Sequence, residues 1–224
     1  MTTYFITGTD TDVGKTVATC QLLRGFAASG LRAVAMKPVA SGCTVLDGEL
    51  INSDVVAHRA AGNVMVPAEL ANPYRFAPAI SPHLAAREAG VSVSLDHLID
   101  CAARLQALTD VLLIEGAGGW HAPLSDDADM QTLAQRLGAP VILVVGMRLG
   151  CLNHALLSAN AIVAAGLPLA GWIANRIAPA MDRYDDNLAW LQSHLPAPLI
   201  AEIGHSPDAL SGEIAPQQLV QLDV

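Results

Sequence analysis

Tyr4-Phe5-Ile6-Thr7-Gly8-Thr9-Asp10-Thr11-Asp12-Val13-Gly14-Lys15-Thr16 decides how this chain is read. A short apolar run stops at a glycine, a polar loop follows, and Gly-Lys-Thr opens a stretch of helical character. Such a layout suits a loop that holds phosphate. Backbone N–H groups turn inward, the lysine reaches the outer phosphates, and the hydroxyl ligates Mg2+. The helix that follows adds the positive end of its dipole. The usual pattern places four residues between its glycines, whereas five separate Gly8 from Gly14 and Thr9 stands at the expected glycine. A pattern scan by itself is weak evidence; the strand-loop-helix setting in an α/β-patterned chain restores it. The plainer alternative is a glycine-punctuated turn that holds no nucleotide.

The composition points the same way. Of 224 residues 52% are hydrophobic but only 4% aromatic, so aliphatic side chains dominate. That profile fits parallel strands buried beneath helices. The expected fold is α/β: a P-loop NTPase-like, mostly parallel sheet with helices on both faces, in one domain over residues 1–224. No apolar run approaches a membrane span, the longest lying near Val141–Val145. Residues 1–16 have no basic segment ahead of an apolar run, so a cytoplasmic protein is expected. A net charge of −9 argues against a nucleic-acid surface. Cys20, Cys43, Cys101 and Cys151 are scattered, which suits reduced packing thiols, and the seven histidines show no zinc-ligand spacing. Among twelve cations only Lys15 and Lys37 are lysines, so neither reads as generic surface filler. Lysine is a compact point charge suited to phosphate oxygens. For Lys37 the bland reading is a strand-end cation facing water.

Along the chain, Tyr4–Thr7 reads as a central buried strand and Val17 to about Ser29 as a helix stopped by Gly30. Arg32–Met36 is a second strand, delivering Lys37-Pro38-Val39-Ala40-Ser41-Gly42 at its carboxyl end, the edge where open parallel sheets bind ligands. Residues 43–51 read as an exposed loop. Asn52-Ser53-Asp54 opens a helix to about Ala61, where Asp54 is either a dipole-compensating carboxylate or a Mg2+ ligand. The proline-rich segment 64–82 yields an extended piece near Asn72–Phe76, with Pro78–Ser81 at the possible edge of a substrate site. Helices are expected over Pro82–Ala89 and Ser94–Leu108.

Val111-Leu112-Leu113-Ile114-Glu115 is the second strong feature: a buried strand ending in a carboxylate, either the acidic, Mg2+-holding partner of a phosphate loop or one half of a structural salt bridge. A buried, unpaired carboxylate is costly, so a cation is expected beside it. Gly116, Ala117, Gly118 and Gly119 leave room for a ligand or backbone to approach. Trp120 and His121 either wall the site or simply pack. Val141–Val145, Leu169–Ala174 and Pro198–Ile203 are further strands. Helices are expected from Gly150-Cys151-Leu152-Asn153 to about Ala165, over Asp182–Leu195 and near Ile214–Leu222. The amino end at Gly150 either holds a carboxylate or is an ordinary capped helix.

Taken together these pieces closely resemble the dethiobiotin synthetases. The matching segments are Thr7–Thr16, Lys37–Gly42, Asn52-Ser53-Asp54, Asn72-Pro73-Tyr74, Glu115–Trp120, Pro140–Gly146, Gly150–Ala155 and Gly171–Asn175, in order over nearly the whole chain. The five-residue gap in the phosphate loop is that family's own spacing. The resemblance implies an ATP- and Mg2+-dependent ligase that closes 7,8-diaminononanoate with CO2 to the cyclic urea dethiobiotin, through a carbamate and its mixed anhydride with phosphate.

The resemblance also implies roles. Lys15 and Lys37 would be catalytic. Asp12, Val13, Gly14, Lys15, Thr16 and Val17 would hold the nucleotide phosphates, together with Asp54, Glu115, Gly116, Ala117 and Gly118. Thr16, Asp54 and Glu115 would hold Mg2+. Thr11, Lys37 and Ser41 would take the diamine or carbamate end. Gly150, Cys151 and Asn153 of a neighbouring subunit would bind the substrate carboxylate, which implies a homodimer. Asn175 and Arg176, with the turn Gly204-His205-Ser206, would meet adenine. Two positions depart from the family: Gly204 replaces a usual proline, and Asn187 stands where many relatives carry an interface tyrosine, with Tyr184 one turn earlier as the candidate substitute. The rival readings are a related amide-forming ligase and a ParA/MinD-like ATPase switch. Such switches carry a second lysine early in the phosphate loop, where this chain has Gly8-Thr9-Asp10-Thr11.

Overall fold

Alternation along the first strand sets the layers. Tyr4 and Ile6 join one apolar cluster and Phe5 joins another, because successive side chains of a strand face opposite sides of a sheet. The computed structural model describes residues 1–222. In chain order the first half contains β1 (Thr2–Gly8), α1 (Lys15–Ala28), β2 (Ala33–Met36), β3 (Val39–Ala40), β4 (Thr44–Leu46), β5 (Glu49–Ile51), α2 (Ser53–Ala61), α3 (Ala68–Ala71), β6 (Tyr74–Arg75), α4 (Pro82–Glu88) and α5 (Leu95–Gln106). The second half adds β7 (Val111–Gly119), α6 (Met130–Leu137), β8 (Val141–Gly146), α7 (Cys151–Ala164), β9 (Leu169–Asn175), α8 (Tyr184–His194), β10 (Leu199–Ile203), a 3-10 turn at Ala209–Ser211 and α9 (Pro216–Leu219).

Six strands form one sheet in the order β10-β9-β8-β1-β7-β2, every neighbouring pair parallel. The chain leaves β1 through α1 toward the β2 edge, whereas β8 leads through α7 toward the β10 edge. Strand order therefore reverses beside β1, where open α/β sheets form their ligand crevice. On one face α1, α2 and α9 cover Tyr4, Ile6, Leu113, Ile142 and Ile173; on the other, helices α3 to α8 cover Phe5, Leu112, Ile114, Leu143 and Trp172. Leu22, Leu23 and Phe26 of α1 are fully buried, each contributing roughly 1.5–3 kcal/mol of apolar transfer. Gly25 lets the C-terminal segment approach that helix, since a Cβ there would stand 2.2 Å from the Ile214 carbonyl oxygen.

The expected parallel sheet with helices on both faces is what the structure contains, with four local differences. Residues 43–51 are not a plain loop: β4 and β5 pair antiparallel around Asp47-Gly48, whose positive φ angles of 52° and 82° make the mirror-image turn that suits hairpin twist. Strand β7 runs four residues past Glu115, with a register shift against β1 between Ile6 and Gly8. Helix α6 was not anticipated. Asp129 caps it, Oδ1 accepting the Thr132 N–H at 2.8 Å, and Gly138 closes it at φ 62°. The C-terminal helix is also shorter than Ile214–Leu222, spanning only Pro216–Leu219.

Candidate active site

The phosphate loop owes its shape to local sterics. Asp12 and Gly14 adopt positive φ angles of 58° and 88°, and a Cβ on Gly14 would lie 2.0 Å from the Asn175 side-chain nitrogen. Thr9 donates its N–H to the Val144 carbonyl at 3.0 Å, which ties the loop to β8. Lys15, the first residue of α1, folds back so that Nζ donates to the Asp10 carbonyl at 2.9 Å. Its ammonium thus lies under the loop mouth.

Strand β2 delivers the second lysine. Asn72 fixes its backbone, the side-chain amide donating to the Lys37 carbonyl at 2.7 Å, while the Lys37 N–H donates to the Ala71 carbonyl at 2.8 Å. The Lys37 ammonium bonds Glu115 Oε1 at 2.9 Å and also contacts Asp54 Oδ2. Thr16 donates its hydroxyl to the same Glu115 oxygen at 2.9 Å. Lys37 is the cation that a buried Glu115 requires.

The electrostatics of the two lysines differ. Burial pulls Lys15 below the ordinary lysine range, opposed by the Glu115 charge. Burial also works against a charge on Lys37, but Glu115 and Asp54 outweigh it and raise its hold on the proton. At Glu115 burial again disfavours ionisation, yet Lys37 and His58 hold the carboxyl well below its usual range. Cys20, deeper in α1, is pushed up to about 12 by burial and by Glu115, so it is an inert thiol.

These groups open onto one cavity of about 860 Å³ at the carboxyl edge of the sheet. Its walls include Thr11, Asp12, Gly14, Lys15, Thr16, Lys37, Ser41, Asp54, Glu115, Ala117 and Gly118, all singled out in the sequence. Ala79, Ile80 and Ser81 supply the far rim, where Pro78–Ser81 was expected to edge the site. Thr16, Asp54 and Glu115 form a set of hard oxygen donors. That set fits Mg2+, which takes few protein ligands and keeps waters and phosphate oxygens for the remaining positions.

A family model described as an AAA domain matches residues 2–211. The ATP-dependent dethiobiotin synthetase BioD of Pseudomonas paraeruginosa (strain DSM 24068 / PA7) is 48% identical over 216 residues, 96% of this chain and 95% of that protein. The same-named protein of Xylella fastidiosa (strain 9a5c) is 47% identical over 211 residues, 94% of this chain and 93% of its own. The chain belongs to the dethiobiotin synthetase family. Among solved structures, the MinD cell division protein of Aquifex aeolicus is similar with a TM-score of 0.57 at 15% identity, covering 99% of this chain and 94% of that one. A ParA family ATPase from Chlorobium tepidum TLS gives 0.54 at 13%, covering 99% and 94%. At such identities these two speak for the P-loop NTPase-like fold alone.

Other residues singled out from the dethiobiotin synthetase resemblance lie outside the cavity walls. Val13 is buried against Gly8 and Gly146, Val17 is partly buried against the apolar cluster under α1, and Gly116 lies beside the Phe5 ring. Asn175 donates its amide to the Val13 carbonyl at 2.8 Å, and the Arg176 guanidinium lies 3.6 Å above the Tyr184 ring. Both leave the end of β9 beside β10, whose exposed continuation is Gly204-His205-Ser206. Gly150 caps α7 at φ 94°, Cys151 is buried, and Asn153 is exposed. Tyr184, the candidate substitute for an interface tyrosine, is buried, and its hydroxyl donates to Glu202 of its own chain at 3.0 Å. One residue has no role in the sequence reading beyond lacking zinc-ligand spacing. His58 sits four residues after Asp54, and that i, i+4 spacing on one helix face was the available clue. Its Nε2 lies 2.7 Å from Glu115 Oε2.

Proposed function

We propose that this protein is a cyclo-ligase that forms C–N bonds, closing 7,8-diaminononanoate with CO2 to dethiobiotin while ATP becomes ADP and phosphate. One observation carries the reading: the chain's two lysines, both buried, open onto a single cavity that Thr16, Asp54 and Glu115 also line.

In that reaction one amine adds to CO2 and loses a proton, giving a carbamate. A carbamate oxygen then attacks the γ-phosphorus and ADP leaves. The second amine attacks the resulting mixed anhydride at carbon, phosphate and a proton leave, and the ring closes. No covalent bond to the protein is required. The obstacle is bringing two anions together: at 4 Å, unit charges repel by about 4 kcal/mol at an effective dielectric constant near 20. Lys37 would lie between carbamate and γ-phosphate, and Lys15 would follow the phosphoryl group in flight. Thr16, Asp54 and Glu115 would hold Mg2+, which draws charge from the phosphoryl oxygens. Thr11 and Ser41 line the wall suited to the diamine or carbamate end. Asn175, Arg176 and the turn Gly204-His205-Ser206 would meet adenine.

The active unit is proposed to be a homodimer of single-domain subunits. Gly150, Cys151 and Asn153 of one subunit would receive the substrate carboxylate of the other. Leu149, 98% exposed just ahead of the Gly150 cap, and Leu157, 61% exposed on α7, would bury apolar surface at that contact. The Cys151 N–H already donates to the Arg148 carbonyl at 3.0 Å, which leaves Asn153 as the side chain exposed for this task. The reaction class and four unpaired, buried thiols among the described residues support a cytoplasmic setting.

The test is ADP release measured with ATP, Mg2+, the diamine and bicarbonate, each omitted in turn, with dethiobiotin identified by mass. Turnover should require all four. ATP hydrolysis indifferent to the diamine would point to an ATPase switch. Product formed only with ammonia and a carboxylic acid would point to an amide-forming ligase.

A further inference from the structure

Buried in α2, 3% exposed, His58 spends one ring nitrogen on Glu115 and leaves the other without a partner among the described residues. An unsatisfied buried polar atom costs roughly 1–3 kcal/mol, and an aliphatic side chain of similar size would avoid it. The bond that remains must therefore be worth keeping. Glu115 Oε1 is shared by Thr16 and Lys37, both cavity residues, at 2.9 Å each. Oε2 is held by His58 at 2.7 Å. Since an ionised carboxylate only accepts, the histidine proton on that bond sits on Nε2. Asn52 fixes the start of the same helix, its side chain accepting the Asp54 N–H at 3.0 Å. One helical turn thus presents Asp54 and His58 to the same cluster.

We propose that His58 is a positioning residue for divalent-cation binding: by anchoring Oε2 of Glu115 it fixes the carboxylate plane and keeps Oε1 turned to the cavity. The proposal rests on the reading of Glu115 as a metal ligand. Partners that orient ligating carboxylates typically change metal affinity by about 10–100-fold when removed.

The experiment titrates Mn2+, followed by its EPR signal, into protein saturated with a non-hydrolysable ATP analogue. It compares the unaltered protein with His58→Leu, His58→Gln, His58→Asn and Glu115→Gln. Glutamine places its amide nitrogen as many bonds from Cα as histidine Nε2; asparagine falls one bond short. His58→Leu and His58→Asn should weaken Mn2+ by about 10–100-fold, and His58→Gln by no more than a few-fold. Affinity for the analogue without metal should stay unchanged, which a merely structural role would not predict. Tight Mn2+ binding by a folded His58→Leu, or equal loss in His58→Gln and His58→Asn, overturns the proposal. If the leucine variant does not fold, the Gln and Asn pair decides. Unaltered Mn2+ binding by Glu115→Gln removes Glu115 from the ligand set and the proposal with it. Loss there without loss in His58→Leu removes only the role of His58.

Discussion

The two ends of the sheet handle charge in opposite ways. At the amino end, Arg32 and Asp110 close an ion pair in solvent, with the guanidinium Nη2 2.8 Å from the carboxylate. The backbone N–H of Arg32 also donates to Asp110 at 2.9 Å, so the pair clips β2 to β7 where both strands begin. Water remains available to both groups, and such pairs are worth little. At the carboxyl end, Lys37, Glu115 and His58 are all withdrawn from water, with Lys37 and Glu115 7% and 1% exposed. There the Lys37 and Glu115 charges need each other, because removing one partner of a buried pair typically costs about 3–5 kcal/mol. The lesson is that a cation paired with a carboxylate acts as a clip at one end and as a charged tool at the other. Desolvation makes the difference.

The strongest way to break this comparison is Lys37→Gln. The change keeps a polar chain but removes the charge proposed to lie between two reacting anions. Turnover should fall by about 10²–10³-fold, the scale of losing one well-placed electrostatic donor. ATP-analogue affinity should move only a few-fold, since Lys15 and the loop backbone remain. Steady-state ADP release and an equilibrium titration measure the two separately. Equal losses in both would make Lys37 a binding group rather than one that acts between the anions.

Much of the carboxyl end was legible because its residues announce themselves by type and place. A lysine in the phosphate loop, a lysine after β2 and a glutamate after four apolar residues need only strand ends to bring them together. What escaped was set by local geometry without strong periodicity. The Asp47-Gly48 hairpin lies in a stretch that reads as an exposed loop, although that dipeptide tolerates two positive φ angles in succession. Helix α6 is only eight residues long and follows an irregular Asp-rich run, so its Asp129 cap was easy to pass over. Tyr184 illustrates a different limit. Its place in the sequence suggested an interface, but the Arg176 stack and the Glu202 bond depend on β9 and β10 lying side by side. His58 was dismissed as lacking metal-ligand spacing, when its partner was a carboxylate 57 residues away.

A sharper probe of the carboxyl end is Asn175→Ala. Its side-chain amide supports the phosphate loop at the Val13 carbonyl, and Asn175 is 6% exposed. Loss of that bond should cost about 1–3 kcal/mol, the penalty of leaving a buried acceptor unpaired. Urea melts would show the change as a lower midpoint with an unchanged slope. ATP-analogue binding should weaken as the loop loses its preset shape. A normal midpoint together with weakened binding would mean that Asn175 acts on adenine rather than on the loop.

The smallest effect belongs to the amino end. The Arg32 side chain and its backbone N–H hold the Asp110 carboxyl down at about 2, below the roughly 3.9 of an unfolded aspartate. The native state therefore favours ionised Asp110, and its contribution is fully present above about pH 4. Falling pH then removes it between about 4 and 2. Arg32→Met should lower the melting temperature slightly at pH 6, and the gap should close as pH drops through that window. High salt should shrink it too, since both groups are exposed. Turnover should not change, because the pair lies at the opposite end of the sheet from the cavity. A large pH-independent loss of stability would mean that the arginine acts there by packing its stem, and that the two ends differ less than their charges suggest.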